Sequence, residues 1–178
     1  MNKLPGDVSY EERVEQMIRV NQAGEYGAKR IYEGQLAVLK GTEVEDTIKH
    51  MKDQEIEHLE AFNELVSERK IRPTIMQPFW HVAGFALGAG TALMGKKAAM
   101  ACTVAVEEVI DEHYASQLEE LGEDEADLKK KITKFREEEL EHRDIGLEHD
   151  AEATPAYPIL TGAIKAGSRL AIWLSTRV

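Results

Sequence analysis

Four glutamates and two histidines fall at spacings that would bring them together if the chain were helical. Written at heptad intervals, one stripe reads Val44, Ile48, Met51, Glu55, His58, Phe62, Leu65, and another reads Leu128, Ile132, Phe135, Glu139, His142, Gly146. In each, three apolar residues precede a Glu-x-x-His, and the matching positions lie 84 residues apart. Two further stripes, Val14, Ile18, Asn21, Glu25, Ala28, Tyr32 and Met100, Val104, Glu107, Asp111, Tyr114, Leu118, each carry a Glu with a Tyr seven residues later. Residues three apart share a helix face, so Glu55/His58 and Glu139/His142 can act from one side. A carboxylate on an apolar stripe is costly unless a partner offsets its lost hydration.

Four such carboxylates repel one another and invite cations among them. Two divalent cations would balance four carboxylates, with the two imidazoles ligating as neutral groups. Glu from two helices plus Glu-x-x-His from two others is the ligand pattern of ferritin-like di-iron and di-manganese sites. Mixed oxygen and imidazole donors suit iron or manganese better than structural zinc. With 25 Glu and six His in 178 residues, about one Glu-x-x-His arises by chance, so the motif alone decides little. The signal lies in the stripe position, the 84-residue repeat and the matching intervals, Glu25 to Glu55 being 30 and Glu107 to Glu139 being 32 residues. The competing reading is a misregistered bundle with these Glu on a solvated face. Tyr32 and Tyr114 read as core packers that make one polar contact each, to a ligand. His113, beside Tyr114, reads as a polar-rim or substrate-contact residue.

The elements that must hold these residues are helical throughout. Ser9 with Glu12 has capping-box spacing and opens a first helix that Gly41 can close. Thr42 with Glu45 repeats the device for a second helix, expected to stop at Arg72-Pro73. Further helices are expected over about 78–95, on to Leu121, over about 124–150 and over about 158–176. No segment alternates like a strand. The expected fold is all-α: a four-helix bundle built from a duplicated helix pair, plus two apolar membrane-facing helices. It forms a single domain over 1–178 with half-repeats of about 8–95 and 96–178.

Charge patterning agrees with that division. All 33 carboxylates lie between Asp7 and Glu68 or between Glu107 and Glu152. Residues 69–106 and 153–178 contain none, and their charges are basic. The uncharged run from Val82 to Gly95 is too short to span a bilayer. Apolar, basic helices ending near Trp173 suit an anionic membrane surface, while an oligomer interface or a lid on the bundle stays equally open. A net charge of −11 argues against nucleic acid. The lone Cys102 excludes a disulfide scaffold and reads as a small core residue. Gly84-x-x-x-Gly88-x-Gly90 would allow close helix packing. The opening residues Met1 to Gly6 contain no apolar leader. A ferritin- or bacterioferritin-like iron-oxidising protein would use the same ligands, and a metal-free scaffold is the non-catalytic alternative.

Longer motifs narrow the choice. Gln22-Ala-Gly-Glu25-Tyr-Gly-Ala28, Asp53-Gln54-Glu55-x-x-His58, Phe85-Ala-Leu-Gly-Ala-Gly-Thr-Ala92, Ala101-Cys-Thr-Val-Ala-Val-Glu107-Glu and Glu138-Glu139-Leu-Glu-His142 resemble the demethoxyubiquinone hydroxylases of ubiquinone biosynthesis. The resemblance spans nearly the whole chain. It implies a di-iron monooxygenase that hydroxylates a polyprenyl demethoxyubiquinone or its quinol, with O2 as co-substrate and NADH as electron donor. It places the iron ligands on Glu25, Glu55, His58, Glu107, Glu139 and His142, the same six read from the stripes. Tyr114 and His113 would lie close to ligands or substrate, and Arg169 and Arg177 match positions associated with NADH. Trp173 stands where an animal member has Tyr, and Gln16 where it has Arg. The resemblance further implies peripheral attachment, either to the cytoplasmic side of a bacterial plasma membrane or to the matrix side of the mitochondrial inner membrane. A lipid-binding accessory protein, other enzymes of the pathway and a homo-oligomer are the partners it allows.

Overall fold

A computed structural model describes residues 8–178, and the reading of Met1 to Gly6 lies outside them. The described residues form six α-helices and two short 3₁₀ turns, with no strand among them. The helices are α1 (Tyr10–Leu39), α2 (Glu45–Glu68), α3 (Gln77–Leu93), α4 (Lys96–Glu120), α5 (Ala126–Glu148) and α6 (Tyr157–Arg177). The all-α expectation holds.

Local chemistry explains most helix ends. The Ser9 hydroxyl accepts from the Glu12 N–H at 3.0 Å while the Glu12 carboxylate accepts from the Ser9 N–H at 2.7 Å, so the first capping box forms as read. The second does not. Thr42 donates its hydroxyl to the Leu39 carbonyl at 2.6 Å and so closes α1, while the Glu45 carboxylate takes the N–H of Gly41 at 2.6 Å. Gly41 has φ +81°, the left-handed conformation that ends a helix, and α2 starts at Glu45 without a side-chain cap. The end of α2 also comes earlier than Arg72-Pro73. Lys70 adopts φ +54° and the Ile71 N–H reaches back to the Val66 carbonyl at 2.9 Å, a Schellman turn with lysine in glycine's place. Before α5, residues Glu123–Glu125 form a 3₁₀ turn rather than helix.

Helices α1, α2, α4 and α5 enclose the interior that holds the acidic stripes, while α3 and α6 each pack on both α1 and α4. The α5 stripe is buried in full, and the α2 stripe is buried from Val44 to Phe62. Between Ala98 and Glu107 every residue of α4 is buried, because α3, α5 and α6 cover it from separate sides. A helix buried all round must be apolar all round, as Ala98-Ala-Met-Ala-Cys-Thr-Val-Ala-Val106 is. Cys102 lies in this run, and burial pushes its thiol up to about 12, consistent with a core residue.

Glycine sets the approach of α3 to α1. A Cβ on Gly88 would overlap the Ile31 backbone, and one on Gly34 would overlap the backbone of Phe85 and Ala89. Gly84 comes less close, an added Cβ falling 2.9 Å from the Gly27 carbonyl oxygen and 3.0 Å from the Arg30 Cβ, whereas Gly90 faces open space. The outer faces of α3 and α6 leave Phe79, Val82, Leu93, Ile159, Leu170 and Trp173 exposed. Neither helix is long and apolar enough to cross a membrane. The basic residues beside them are less free than the acid-free segments implied. Lys165 pairs with Glu108, Arg169 with Glu112 at 2.9 Å, Lys97 with Asp150 at 3.0 Å and Lys96 with Glu43. Acids of the neighbouring blocks fold back onto them.

Candidate metal centre

The six stripe residues converge in the interior, each of them buried. Two groups of four form, Glu25, Glu55, His58, Glu139 and Glu55, Glu107, Glu139, His142, with one donor atom from every residue within 4.8 Å of the others in its group. Glu55 and Glu139 belong to both groups. The arrangement therefore offers two adjacent cation positions with two shared carboxylates, each completed by one further Glu and one His.

Hydrogen bonds fix the donors. The Tyr32 hydroxyl donates to Glu107 Oε1 at 2.8 Å, and the Tyr114 hydroxyl donates to Glu25 Oε1. Each tyrosine thus reaches from one half of the chain to the outer carboxylate of the other. Burial first, and then the neighbouring carboxylates, push both phenols well above their ordinary range, so they remain protonated donors. His58 turns Nδ1 toward Glu139 at 3.2 Å and Glu25 at 3.5 Å, leaving Nε2 against Glu138 Oε2 at 2.8 Å. His142 turns Nδ1 toward Glu55 at 3.2 Å and Glu139 at 3.3 Å, with Nε2 against Gln54 Oε1 at 2.9 Å. Phe135 stacks on His58 with centroids 4.0 Å apart, and Phe62 packs against Phe135 and Tyr114.

The electrostatics are those of a site short of positive charge. Burial, and then the charge of Glu139, hold the Glu55 and Glu107 carboxyls well above the usual range. Burial would raise Glu139 too, but the facing imidazoles of His142 and His58 carry it down to about 2. Burial opposes a proton on His58, yet Glu139 and Glu25 outweigh it and raise the imidazole to about 12. Among the described residues nine buried side-chain atoms lack a well-formed hydrogen bond, and six of them belong to this cluster: Glu25 Oε2, Glu55 Oε1, Glu139 Oε2 and His142 Nδ1, which have only ion-pair contacts at 3.2–3.5 Å, and Glu55 Oε2 and Glu107 Oε2. Buried polar atoms are rarely left so. These atoms belong to the two convergent groups, and their mix of oxygen and imidazole donors is of the kind that suits iron or manganese.

His113 is half-buried one residue before Tyr114, and burial holds its imidazole down to about 4. Its Nε2 lies 2.7 Å from the Gln117 amide, which accepts from and donates to Asn21, each at 2.8 Å. Asp111, read as an inward residue, is instead half-buried and takes a hydrogen bond from Arg136 at 2.6 Å. Arg169 and Arg177 lie on α6, outside this cluster. Arg169 pairs with Glu112, and the Arg177 guanidinium sits 4.3 Å over the Trp173 ring. Sequence reasoning missed Gln54 and Glu138 as histidine partners. Each immediately precedes the Glu of a Glu-x-x-His, which is the signal that was there to find.

Comparison with known proteins agrees with these motifs. The family model described as "Ubiquinone biosynthesis protein COQ7" matches residues 12–175. The 3-demethoxyubiquinol 3-hydroxylase of Rhodospirillum rubrum is 57% identical over 178 residues, covering 99% of this chain and 84% of that protein. The human NADPH-dependent 3-demethoxyubiquinone 3-hydroxylase, mitochondrial, is 57% identical over 169 residues, 93% of this chain and 78% of the relative. The 5-demethoxyubiquinone hydroxylase, mitochondrial, of Saccharomyces cerevisiae is 41% identical over 182 residues, again 93% and 78%.

Proposed function

The chain belongs to the COQ7 family of ubiquinone biosynthesis proteins, and from that premise we propose that its buried Glu/His centre hydroxylates a demethoxyubiquinone or demethoxyubiquinol ring. The reaction is an oxidation: one atom of O2 enters the ring as hydroxyl and the other leaves as water, with two electrons from a nicotinamide nucleotide. The resemblance implies NADH as the donor, whereas the human relative is named as NADPH-dependent. The observation that carries the reading is the convergence of buried oxygens of Glu25, Glu55, Glu107 and Glu139 with the two imidazoles in two adjacent groups of four, with donor atoms within 4.8 Å of one another.

In this reading the fold is a ferritin-like bundle within a single domain, with duplicated halves of about 8–95 and 96–178. Glu25, Glu55, His58, Glu107, Glu139 and His142 hold two iron ions, which when bound supply O2 activation. The protein contributes the rest. Glu55 and Glu139 keep the two positions adjacent, Tyr32 and Tyr114 orient the outer carboxylates, and Phe62 and Phe135 exclude water from around the cluster. Tyr114, which donates to Glu25, and His113, which burial keeps neutral, would make the contacts to ligand or substrate. Arg169 and Arg177 would meet the nicotinamide nucleotide. A polyprenyl quinone does not leave its bilayer, so the exposed apolar residues of α3 and α6 would dock the enzyme peripherally there. The human and yeast relatives are named as mitochondrial, and the inner membrane is the corresponding site for this chain if its cell has one; otherwise it is the plasma membrane. A lipid-binding accessory protein, a second copy of the chain or another enzyme of the pathway could share that face.

A Glu139→Ala variant tests the ligand assignment, since Glu139 serves both positions. Loss of both irons and of hydroxylation is expected. Normal iron content with retained turnover would overturn it. Flotation with anionic liposomes tests the docking face, and protein that stays at the bottom of the gradient would refute it.

A further inference from the structure

The contacts around the cluster come in matched pairs across the two halves of the chain. Tyr32–Glu107 answers Tyr114–Glu25, and Gln35 donating to Thr103 at 3.4 Å answers the Gln117–Asn21 amide pair. The histidine partners are matched in place as well, Gln54 against His142 and Glu138 against His58. They are not matched in charge. His58 gives its Nε2 proton to a carboxylate, His142 to a neutral amide. The same side carries further polar groups that the other lacks. Gln22 donates to Asn63 at 3.0 Å, while the equivalent positions hold Val104 and Leu147; His113 stands where the other half has Ile31.

A carboxylate acceptor draws the imidazole proton harder than an amide does, so Nδ1 of His58 becomes the stronger donor to a cation. Glu138 also adds a negative charge that Gln54 does not. Lys134, 3.2 Å from the other Glu138 oxygen, offsets part of it but is itself largely exposed. We infer that the two cation positions are unequal, with Glu138 acting as a positioning residue that makes the Glu25/His58 position the tighter one, filled first, and Glu107/His142 the labile one. This rests on the two-cation reading above. Partners of ligating histidines typically change metal affinity by about 10–100-fold, which sets the expected gap.

The test is anaerobic titration of the metal-free full-length chain with Co(II) or Fe(II). Native mass spectrometry counts chains with no, one and two metals, and NMR of ¹⁵N-labelled histidine reports which imidazole is perturbed first. In the wild type the one-metal species should accumulate well beyond the level for two identical positions, with His58 perturbed before His142. Glu138→Gln should abolish that preference, and Gln54→Glu should abolish it from the other side by strengthening His142. The double variant E138Q/Q54E should reverse the order, which a merely structural role could not do. Should Glu138→Gln fail to fold, Gln54→Glu alone still decides. Equal filling in the wild type, His142 perturbed first, or a uniform weakening of both positions in E138Q would overturn the inference. A wild-type chain that never takes two metals would overturn the two-cation reading, and this inference with it.

Discussion

Replacing Gly88 with alanine should push α3 away from α1, and the structure fixes how badly. A Cβ there would stand 2.7 Å from the Ile31 carbonyl carbon and nearer still to its oxygen, whereas relaxed contacts lie beyond about 3.5 Å. Backbone meets backbone, so no side chain can swing away, and the helices must part by roughly an ångström along their shared length. Overpacking of this kind costs about 1–3 kcal/mol, and the rigid neighbour places Gly88→Ala at the upper end. For a chain of this size about 3 kcal/mol lowers Tm by roughly 6–12 °C. Parting the helices would also break the Tyr26–His81 hydrogen bond at 2.6 Å and the Arg30 contact to the His81 carbonyl at 3.1 Å. The control has the opposite sign. Gly90 faces open space in the same helix, so Gly90→Ala should stabilise by about 0.5–1 kcal/mol through helix propensity. Gly84→Ala, with its nearest neighbour at 2.9 Å, should fall between them. Thermal melts of the three variants, paired with liposome flotation, provide the assay. Equal melting of Gly88→Ala and wild type, or greater damage from Gly90→Ala, would refute the close-approach reasoning.

Other perturbations separate the roles of neighbouring residues. Tyr32→Phe leaves Glu107 Oε1 buried without its donor and should cost the metal-free protein about 1–3 kcal/mol in urea unfolding; an unchanged midpoint would contradict the contact. His113 has its folded pKa held down to about 4 by burial, below the unfolded value of about 6.5. The unfolded chain therefore binds the extra proton across that interval, so this contribution is full above about pH 6.5 and is lost as pH falls toward about 4. It amounts to at most about 3 kcal/mol, and His113→Asn should flatten the pH–stability slope there; an identical slope in the variant would refute it. Iron(II) added anaerobically at about 100 times its dissociation constant should stabilise by about 2.7 kcal/mol and raise Tm by roughly 5–10 °C. A melt indifferent to iron, or one in which Glu139→Ala responds as wild type does, would contradict the centre.

Much of this was legible because helical periodicity and burial are local facts. Leu128, Ile132, Phe135, Glu139, His142 and Gly146 were written as one face, and all are buried. The glycine run was read as a close-packing surface, but which glycines touch depends on where Gly34 of another helix falls. What stayed hidden depends on contacts distant in sequence. Glu138 meets His58 across 80 positions, and Arg169 meets Glu112 across 57, so neither is visible in any local window. The end of α2 was misplaced for a different reason. Its left-handed residue is Lys70 rather than glycine, and what holds the turn is Ile71, a buried side chain whose destination no local signal announces. Thr42 misled because its hydroxyl serves the helix behind it instead of the one ahead.

The most direct test of the central claim is turnover under ¹⁸O2. Iron-loaded protein, a demethoxyubiquinone and NADH or NADPH are mixed anaerobically, ¹⁸O2 is admitted, and the quinone is analysed by mass spectrometry. A product carrying one ¹⁸O atom, absent when iron is withheld and absent in Glu139→Ala, is the predicted result. Unlabelled product, or labelling that persists without iron, would contradict it.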